Sequence, residues 1–506
     1  MRTFKQFVDL KEAVGDSKDW KADSLSAPLA KGFVPPNDLK PVIRAFANSG
    51  SIVLMKDVSE KHVSMPKKTL YLVGGPVRDF LKGKTPKDLD LATNATPEQI
   101  AVILSAAGFK KAGDRSGKGG EELRIPQFFE TGDGPQKVED AKQGDNKIWF
   151  VKGRDNSEAH KAFVISAVVN GNEFEIATFR KDVSVENGNA AVDFADNPKV
   201  DASRRDLTIN SMYIELTNDE GENKKIYDPT RSGRHDLEHG VVKTVGKAEE
   251  RFQEDPIRIM RAIRFHCRFG SGEELHDDIR KAIPKFMNLP ERIAPNRIRD
   301  EFLKGLLNPD IDPQKYLRIY YKTGLLHVVF PGVQFGPMNV PPQFTDKQDK
   351  VLALAWLLQH NPVEKVEQVL SDKREVNGES KNSGWELAER KAVVFLLKLK
   401  EFDADRVYQF LRQRDITGVT SQQIKSWVEM FGNRPEWSKQ VKTFADHRKT
   451  VSWNDVQSAG RHICPTCNGR NSDTCMDCKG KGEVPENQRG QVVADMERDK
   501  FRQKLK

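Results

Sequence analysis

Read for its apolar and polar positions, the chain changes character near residues 69 and 250. Between them, short apolar runs alternate with helical stretches. "TLYLVGG" (69–75) is an apolar run of strand length that ends in a glycine pair. "PVRDFLKG" then opens a helix with proline in its first turn, where the missing N–H costs nothing. "DLDLAT" (88–93) predicts a second strand. "TPEQIAVILSAAG" predicts a helix capped by Thr96, with Gly108 past its end. "KAFVISAVVNGNEFEIATFR" predicts a hairpin with Gly171-Asn172 near its turn. From Glu249 onward the apolar positions take the helical period, in "EDPIRIMRAIRFHCRF", "DKVLALAWLLQH" and "ERKAVVFLLKLKEFDADRVYQFLRQ". The expected class is α+β. A head with a mixed β-sheet leads into an all-α neck, body and tail, and the chain ends in a small cysteine-bearing module. No internal repeat is evident.

These patterns set provisional boundaries. Residues 1–60 read as an extension: an amphipathic helix in "MRTFKQFVDLKEAVG", then the Pro- and Gly-bearing linker "SLSAPLAKGFVPPNDLKP". Residues 61–250 form the head, with a polar, weakly patterned insertion at 110–158. Residues 251–330 are a helical neck, 331–455 a helical body and tail, and 456–506 the cysteine module with a basic C-terminal helix. The 506 residues suffice for several domains. No run of 18 apolar residues predicts a transmembrane helix, and the N-terminus lacks the apolar centre of a secretory signal. A net charge of +8 fits a nucleic-acid partner, as it fits a basic solvated surface. Of five cysteines, four cluster near the C-terminus, which favours a metal site and a reducing, cytoplasmic compartment. Cys267, alone in an apolar helix pattern, is expected to be an inert core thiol.

The candidate chemistry begins at Asp88 and Asp90. Two apart on a strand, their carboxylates leave one face together while Leu89 turns to the core. Like charges this close favour a bridging cation, and Mg²⁺ suits oxygen ligands and substrate phosphates. The same pair could be exposed aspartates in a turn. Gly74 and Gly75, ending a strand before a helix, permit close approach of phosphate or of backbone. Arg78, one turn into that helix, has the reach to bind a triphosphate. Phosphates on one wall and metal on the other describe a nucleotidyl-transfer site. Glu175, on the strand "FEIATFR", is the candidate third acid, to share a metal or act as base.

These segments resemble the class II nucleotidyltransferases, which comprise tRNA CCA-adding enzymes and bacterial poly(A) polymerases. The matching runs are "LVGGPVRDFLKGKTPKDLDLAT", "EFEIATFR", "SRRDLTINSMYIEL", "YDPTRSGRHDL" with "VVKTVGKAEERFQEDPIRIMRAIRF", and "IAPNRIRDEFLKGL", in the family's order over about 71–305. The resemblance implies that Asp88, Asp90 and Glu175 are the catalytic acids, the aspartates holding Mg²⁺. It implies that Gly74, Gly75 and Arg78 line the triphosphate. Arg205 would contact the nucleotide, with Asp206 and Asn210 shaping the same wall. Asp255 and Arg258 would read the incoming base, supported by Arg261 and Arg264. The spacing agrees, since Asp255 and Arg258 are three apart and neighbours on a helix face. A carboxylate beside a guanidinium matches the amino group and ring acceptor that cytosine and adenine share. Implied partners are CTP, ATP and the 3′ end of tRNA or another RNA, with the tRNA arm bound by shape and phosphate contact over about 310–455.

Lys161 and the strand leading to Glu175 favour CCA addition, although Ala162-Phe163 stand where that pattern has Gly-Thr. The alternatives are oligoadenylation by a poly(A) polymerase and an inactive RNA-binding or virion protein. No HD-type phosphohydrolase motif is found. The insertion at 110–158 departs from both enzyme patterns. The spacing of Cys464, Cys467, Cys475 and Cys478 suits four thiolates on a tetrahedral, structural Zn²⁺; a redox or disulfide role is the alternative. The module resembles the cysteine-rich repeat of DnaJ-type co-chaperones and would serve as a clamp on RNA or on a phage capsid or host protein. "MRTFKQFVDLKEA" resembles the leaders of tailed-phage capsid proteins cut after an L-x-E site, which Leu10-Lys11-Glu12 fits. That resemblance implies a phage protein, one that could be packaged in the virion; an ordinary amphipathic helix is the alternative.

Overall fold

The computed structural model describes residues 26–28, 32–56, 61–86, 88–111, 128–130, 146–151, 164–183, 191–217, 225–341, 349–376, 378–398 and 419–430, with scattered positions from 457 to 503. The leader-like segment and the four clustered cysteines lie outside the described residues. The chain divides into two compact units, Met1–Ile283 and Pro284–Lys506.

The first unit is built on a nine-stranded mixed sheet. Its strands are β1 (Ser26–Pro28), β2 (Leu70–Val73), β3 (Leu91–Thr93), β4 (Lys110–Lys111), β5 (Lys147–Val151), β6 (Val164–Val169), β7 (Asn172–Thr178), β10 (Tyr213–Leu216) and β11 (Lys225–Tyr227). They lie in the order β1-β11-β10-β2-β3-β7-β6-β5-β4. A two-stranded ribbon of β8 (Arg180–Val183) and β9 (Ala191–Phe194) follows β7. The centre reads as its burial demands: β2 is buried at all four positions, as suits a strand covered on both faces.

The helices of this unit are α1 (Lys40–Ala47), α2 (Gly75–Leu81), α3 (Pro97–Ala106), α4 (Pro198–Ser203), α5 (Gly233–Glu238), α6 (Ala248–Glu254), α7 (Ile257–Phe269) and α8 (Asp277–Ala282). Thr96 and Gln99 form a capping box at the start of α3, and Gly108 takes a left-handed φ of 85° past its end. α2 opens at Gly75 with Pro76 in its first turn.

Several expectations change. Strand β3 starts at Leu91, because pairing begins only where the Asp90 carbonyl accepts the Val73 N–H at 3.0 Å. Asp88 is exposed in the approach, and Leu89 is partly exposed instead of buried. The hairpin turns at Asn170-Gly171, both with positive φ (52° and 84°), and Asn172 already belongs to β7. This is the backbone that a two-residue type I′ loop needs. The insertion contributes strands: Lys147–Val151 pairs with β6, and Phe128–Glu130 joins Ile52–Lys56 and Lys61–Ser64 in a small sheet. The N-terminal region is more than a linker, since Ser26–Pro28 pairs with β11 along the sheet edge. Cys267 is partly exposed and not a core thiol.

The second unit is mainly helical: α9 (Leu289–Arg292), α10 (Pro295–Leu306), α11 (Pro313–Lys322), α12 (Leu325–Val329), α13 (Lys350–Leu358), α14 (Val363–Ser371), α15 (Leu387–Lys398) and α16 (Ser421–Met430). It also carries a hairpin, Arg374–Val376 with Glu379–Lys381, turned at Gly378 (φ 78°). The Asn-Gly pair that marks this turn in the sequence is a hairpin signal within an otherwise helical pattern. Among the described residues no helix is long and apolar enough to cross a membrane.

Packing in the second unit centres on aromatic rings. Phe302 touches Tyr316, Tyr320 and Phe330, and Phe330 stacks on Trp385. Gly305 makes room for this cluster: a Cβ there would lie 2.3 Å from the Tyr316 ring. Tyr316 cannot retreat, because its hydroxyl donates to the Phe302 carbonyl and pairs with Tyr320. Gly305→Ala should therefore destabilise the protein by about 1–3 kcal/mol through overpacking, against a helix-propensity gain of about 1 kcal/mol. Urea unfolding of the full chain checks the sign; a stabilised variant would show that the helix pair yields freely.

Candidate active site

The strand registers set two of the candidate acids, Asp90 and Glu175, on one face of the first unit. Tyr71 pairs with Ala92, and Ile176 and Ala177 pair with Leu91 and Ala92 in parallel. One step further, Val73, Asp90 and Glu175 stand level. Paired residues share a face, so Asp90 and Glu175 emerge on the side that carries Tyr71, Val73, Ala92 and Tyr213. Beneath the acids, that side is a buried cluster in which Tyr71, Phe179, Tyr213 and Tyr227 meet mostly edge to face. Asp88, Asp90 and Glu175 are themselves exposed.

Electrostatics couple the acids. The Asp90 carboxyl is raised above the usual carboxylate range, first by loss of solvation and then by Asp88, while Arg205 and Arg78 oppose the rise. Glu175 is raised likewise, by loss of solvation and then by Glu173 and Asp90. Charges that resist being ionised together suit a hard divalent cation with oxygen ligands. Among the described residues, no three His, Cys, Asp or Glu side chains already converge as a metal cluster. Asp88 and Asp90 fit such an ion chemically, with Glu175 as their electrostatic neighbour.

The opposite wall is the turn between β2 and α2. Gly74 has φ 73° and ψ −123°, a conformation that side chains disfavour. A Cβ there would lie 3.4 Å from Arg205 Nη1 and 3.6 Å from the Asn210 carbonyl oxygen. The glycine thus lets a guanidinium and a backbone segment close on the turn. A Cβ on Gly75 would meet Arg78 Nη2 at 3.6 Å, an ordinary contact.

Arg205 is held from behind by Asp201, a residue whose role the motifs alone do not reveal. Asp201 is 1% exposed. Its Oδ2 accepts from Arg205 Nε and Nη2 at 3.0 and 2.8 Å and from the Tyr213 hydroxyl at 2.9 Å. Its Oδ1 accepts from Arg204 Nε and Nη2 at 3.0 and 2.5 Å. Burial alone would raise this carboxyl, but Arg205 and Arg204 overcome it and pull the group down to about 2. The signal lies in "DASRRD", where the aspartate precedes its arginines by three and four residues, the spacing of helical ion pairs.

Other predicted residues sit differently from expectation. Arg78 is buried, its guanidinium bonded to Asp79 and, at 2.5 Å, to Asn210 Oδ1. It also lies 5.0 and 4.6 Å from the ring centroids of Phe265 and Phe269. It therefore ties α2 to α7 and does not present its charge to open space. Asp255 and Arg258 do not share a helix face. The residue before a proline is pushed out of the helical region, and Asp255, before Pro256, is extended at φ −147°. Its carboxylate instead accepts from the Ile257 N–H at 3.3 Å as α7 begins. Arg258 bonds Glu254 and, at 2.8 Å, the Arg204 carbonyl.

The arginines that recur every three residues along α7, Arg258, Arg261 and Arg264, thus engage neighbouring groups. Arg261 pairs with Asp206 at 2.7 Å and is the chief neighbour holding that carboxyl below its usual range against burial. Asn210 links the same aspartate to Arg78, through Nδ2 to Asp206 at 3.3 Å. Arg264 lies over Phe265 at 4.4 Å. Arg251, from α6, donates to the Ser203 carbonyl at 2.7 Å.

Comparisons with known proteins agree with this architecture. Residues 70–122 and 135–243 match the family described as the poly A polymerase head domain. Residues 274–335 match the one described as a probable RNA- and SrmB-binding site of polymerase A. The chain is 32% identical over 208 residues to the mitochondrial CCA tRNA nucleotidyltransferase 1 of Homo sapiens, covering 41% of this chain and 36% of that protein. It is 29% identical over 273 residues to poly(A) polymerase I of Escherichia coli O157:H7, covering 53% and 49%. The chain thus spans half or less of the length of these relatives. The solved structure of a CCA-adding enzyme complexed with CTP shares the fold over 94% of this chain and 95% of that one, at 19% identity and a TM-score of 0.50.

The Asp201 cluster generates an acid-stability prediction. Its folded value of about 2 lies below the unfolded carboxylate value of about 3.9. The stabilisation is therefore present above about pH 4 and is lost as pH falls toward about 2. Between about pH 5 and pH 2 the native protein should lose about 2 kcal/mol more unfolding free energy than Asp201→Asn. Urea titrations at the two pH values measure this; equal losses would disprove the assignment.

Proposed function

With a head that belongs to the class II nucleotidyltransferase family, we propose that this protein adds CMP and AMP to the 3′ end of tRNA without a template. The observation that carries the proposal is the register that sets Glu175 level with Asp90, on a sheet whose neighbouring glycine turn meets Arg205. In the reaction the RNA 3′-hydroxyl attacks the nucleotide α-phosphorus, a P–O bond forms, and pyrophosphate leaves. Asp88 and Asp90 would hold Mg²⁺, which would supply Lewis-acid activation of the hydroxyl and neutralise charge on the phosphates. Glu175 sits beside this pair to share the metal or take the hydroxyl proton. Arg205 receives the triphosphate at the turn made by Gly74 and Gly75. Arg78 acts from within, fixing that turn against α7 through Asn210. Asp206 and Asn210 shape the nucleotide wall, and Arg261 and Arg264 brace it.

On this reading Asp255 accepts the amino hydrogen of cytosine or adenine and Arg258 donates to the neighbouring ring acceptor. Glu254 and the Arg204 carbonyl orient its guanidinium. The helical unit binds the RNA. Domain limits at residues 60, 250, 330 and 455 belong to the same proposal. Poly(A) synthesis is the second reading, favoured by the similarity to the Escherichia coli enzyme. A cytoplasmic site of action, or carriage in a phage particle, is part of the proposal taken from sequence alone. So is a structural Zn²⁺ on Cys464, Cys467, Cys475 and Cys478.

Three measurements test these readings. Single labelled nucleotides are offered with tRNA lacking its terminal CCA, with tRNA ending in C or CC, and with oligo(A). Two C additions and then one A, stopping there, are expected; long A tails on oligo(A) without C would replace the proposal by the second reading. Asp88→Ala or Asp90→Ala should lower incorporation by about a thousandfold or more while folding and RNA binding persist; surviving incorporation would remove these residues from the site. Metal analysis of the purified chain should find one zinc, lost on Cys464→Ser with Cys478→Ser. Zinc retained in that variant would refute the thiolate assignment.

A further inference from the structure

We propose that Asp201 is the positioning residue for Arg205, keeping its guanidinium turned to the glycine turn and away from the metal-binding carboxylates. Arg205 has two anionic neighbours. Asp201 takes its Nε and Nη2, and the Tyr213 hydroxyl shares Nε at 3.0 Å. Asp90 borders the same turn: its carbonyl accepts from the Val73 N–H at 3.0 Å, and a Cβ on Gly74, the next residue, would lie 3.4 Å from Arg205 Nη1. These bonds leave Nη1 toward Gly74, at 3.4 Å from where a Cβ would stand. Two edges of the fork are thus occupied from behind, and the third faces the place assigned to phosphate.

The arrangement exceeds what a structural ion pair requires. A buried aspartate needs one cation to be neutralised, and Arg204 already gives Oδ1 two hydrogen bonds. The second arginine brings the cluster to a net single positive charge directed toward the turn. Released from Asp201, Arg205 could turn to Asp90, the metal-site carboxylate at the edge of the same turn. An arginine paired there occupies the ligands that a divalent cation needs. Asp201 therefore separates two uses of one guanidinium: receiving phosphate, or quenching the metal site. This rests on the reading of Asp88 and Asp90 as metal ligands.

The test uses Mn²⁺ binding to the full chain without nucleotide, followed by electron paramagnetic resonance. Mn²⁺ prefers oxygen ligands, so the cysteine thiolates compete poorly. Asp201→Asn, nearly isosteric, should weaken Mn²⁺ binding about fivefold, the factor expected of one new competing ion pair. Combining Asp201→Asn with Arg205→Met should restore the affinity of Arg205→Met alone, because no guanidinium remains to swing. Unchanged affinity in Asp201→Asn overturns the proposal, as does a double variant still as weak as the single one. It also falls if Asp90→Ala leaves Mn²⁺ binding intact. Should Asp201→Asn fail to fold, Tyr213→Phe removes one acceptor from Nε and should shift affinity the same way about twofold; no shift there overturns it. A wild-type protein that binds Mn²⁺ through Asp90 yet transfers no nucleotide would sink the proposed function alone.

Discussion

One buried carboxylate organises the first unit. Asp201 is closed off from water, and leaving it unpaired would cost several kcal/mol. It is satisfied by Arg204, Arg205 and Tyr213, with the Arg180 N–H at 3.4 Å. Those partners come from the end of α4, the start of β8 and the central strand β10. A single charge thereby fastens the ribbon and the short helix onto the aromatic face of the sheet. The residues that follow it, Ser203 to Asp206, are then grasped by Arg251, Arg258 and Arg261. Helices α6 and α7 take their position from the segment that Asp201 anchors.

This coupling explains why partly buried arginines crowd the site. Arg78, Arg264 and Arg268 lie over Phe265 or Phe269. A guanidinium is planar, weakly hydrated and always charged, so it tolerates such contacts better than lysine would. Arg78 shows the balance: burial disfavours its charge, and Asp79 restores part of the loss. The outcome is a rigid wall beside the exposed acids, which suits chemistry that depends on positioning.

The elements set by local rules were legible in the sequence. The glycine turn, the Thr96 cap and the hairpin each need particular residues at particular backbone angles, and those residues were there. Where non-local pairing decides, periodicity was silent. The insertion's Lys147–Val151 strand gains its place from β6, and nothing in the run itself announces that partner. The acids were legible as a pair, while the fate of each arginine was not. A charged helix stripe reads the same whether it faces water or, like Arg258 and Arg261, a neighbouring backbone and carboxylate. Asp255, too, carried an unread local signal, since the proline after it forbids the helix assumed to hold it.

The turn at Asn170-Gly171 has a consequence of parity. It lies a few residues before Glu175 in the chain, and β7 alternates strictly from there. An insertion of one residue, absorbed by a slip of β7, would carry Glu175 to the opposite face of the sheet, where Ile176 now points. An insertion of two would keep the face and move the acid one step along the strand. Chain length between turn and acid thus works as a counting device. Odd changes would silence the third carboxylate while leaving a sheet behind, so this loop is held to its length as well as to the residues its backbone angles admit.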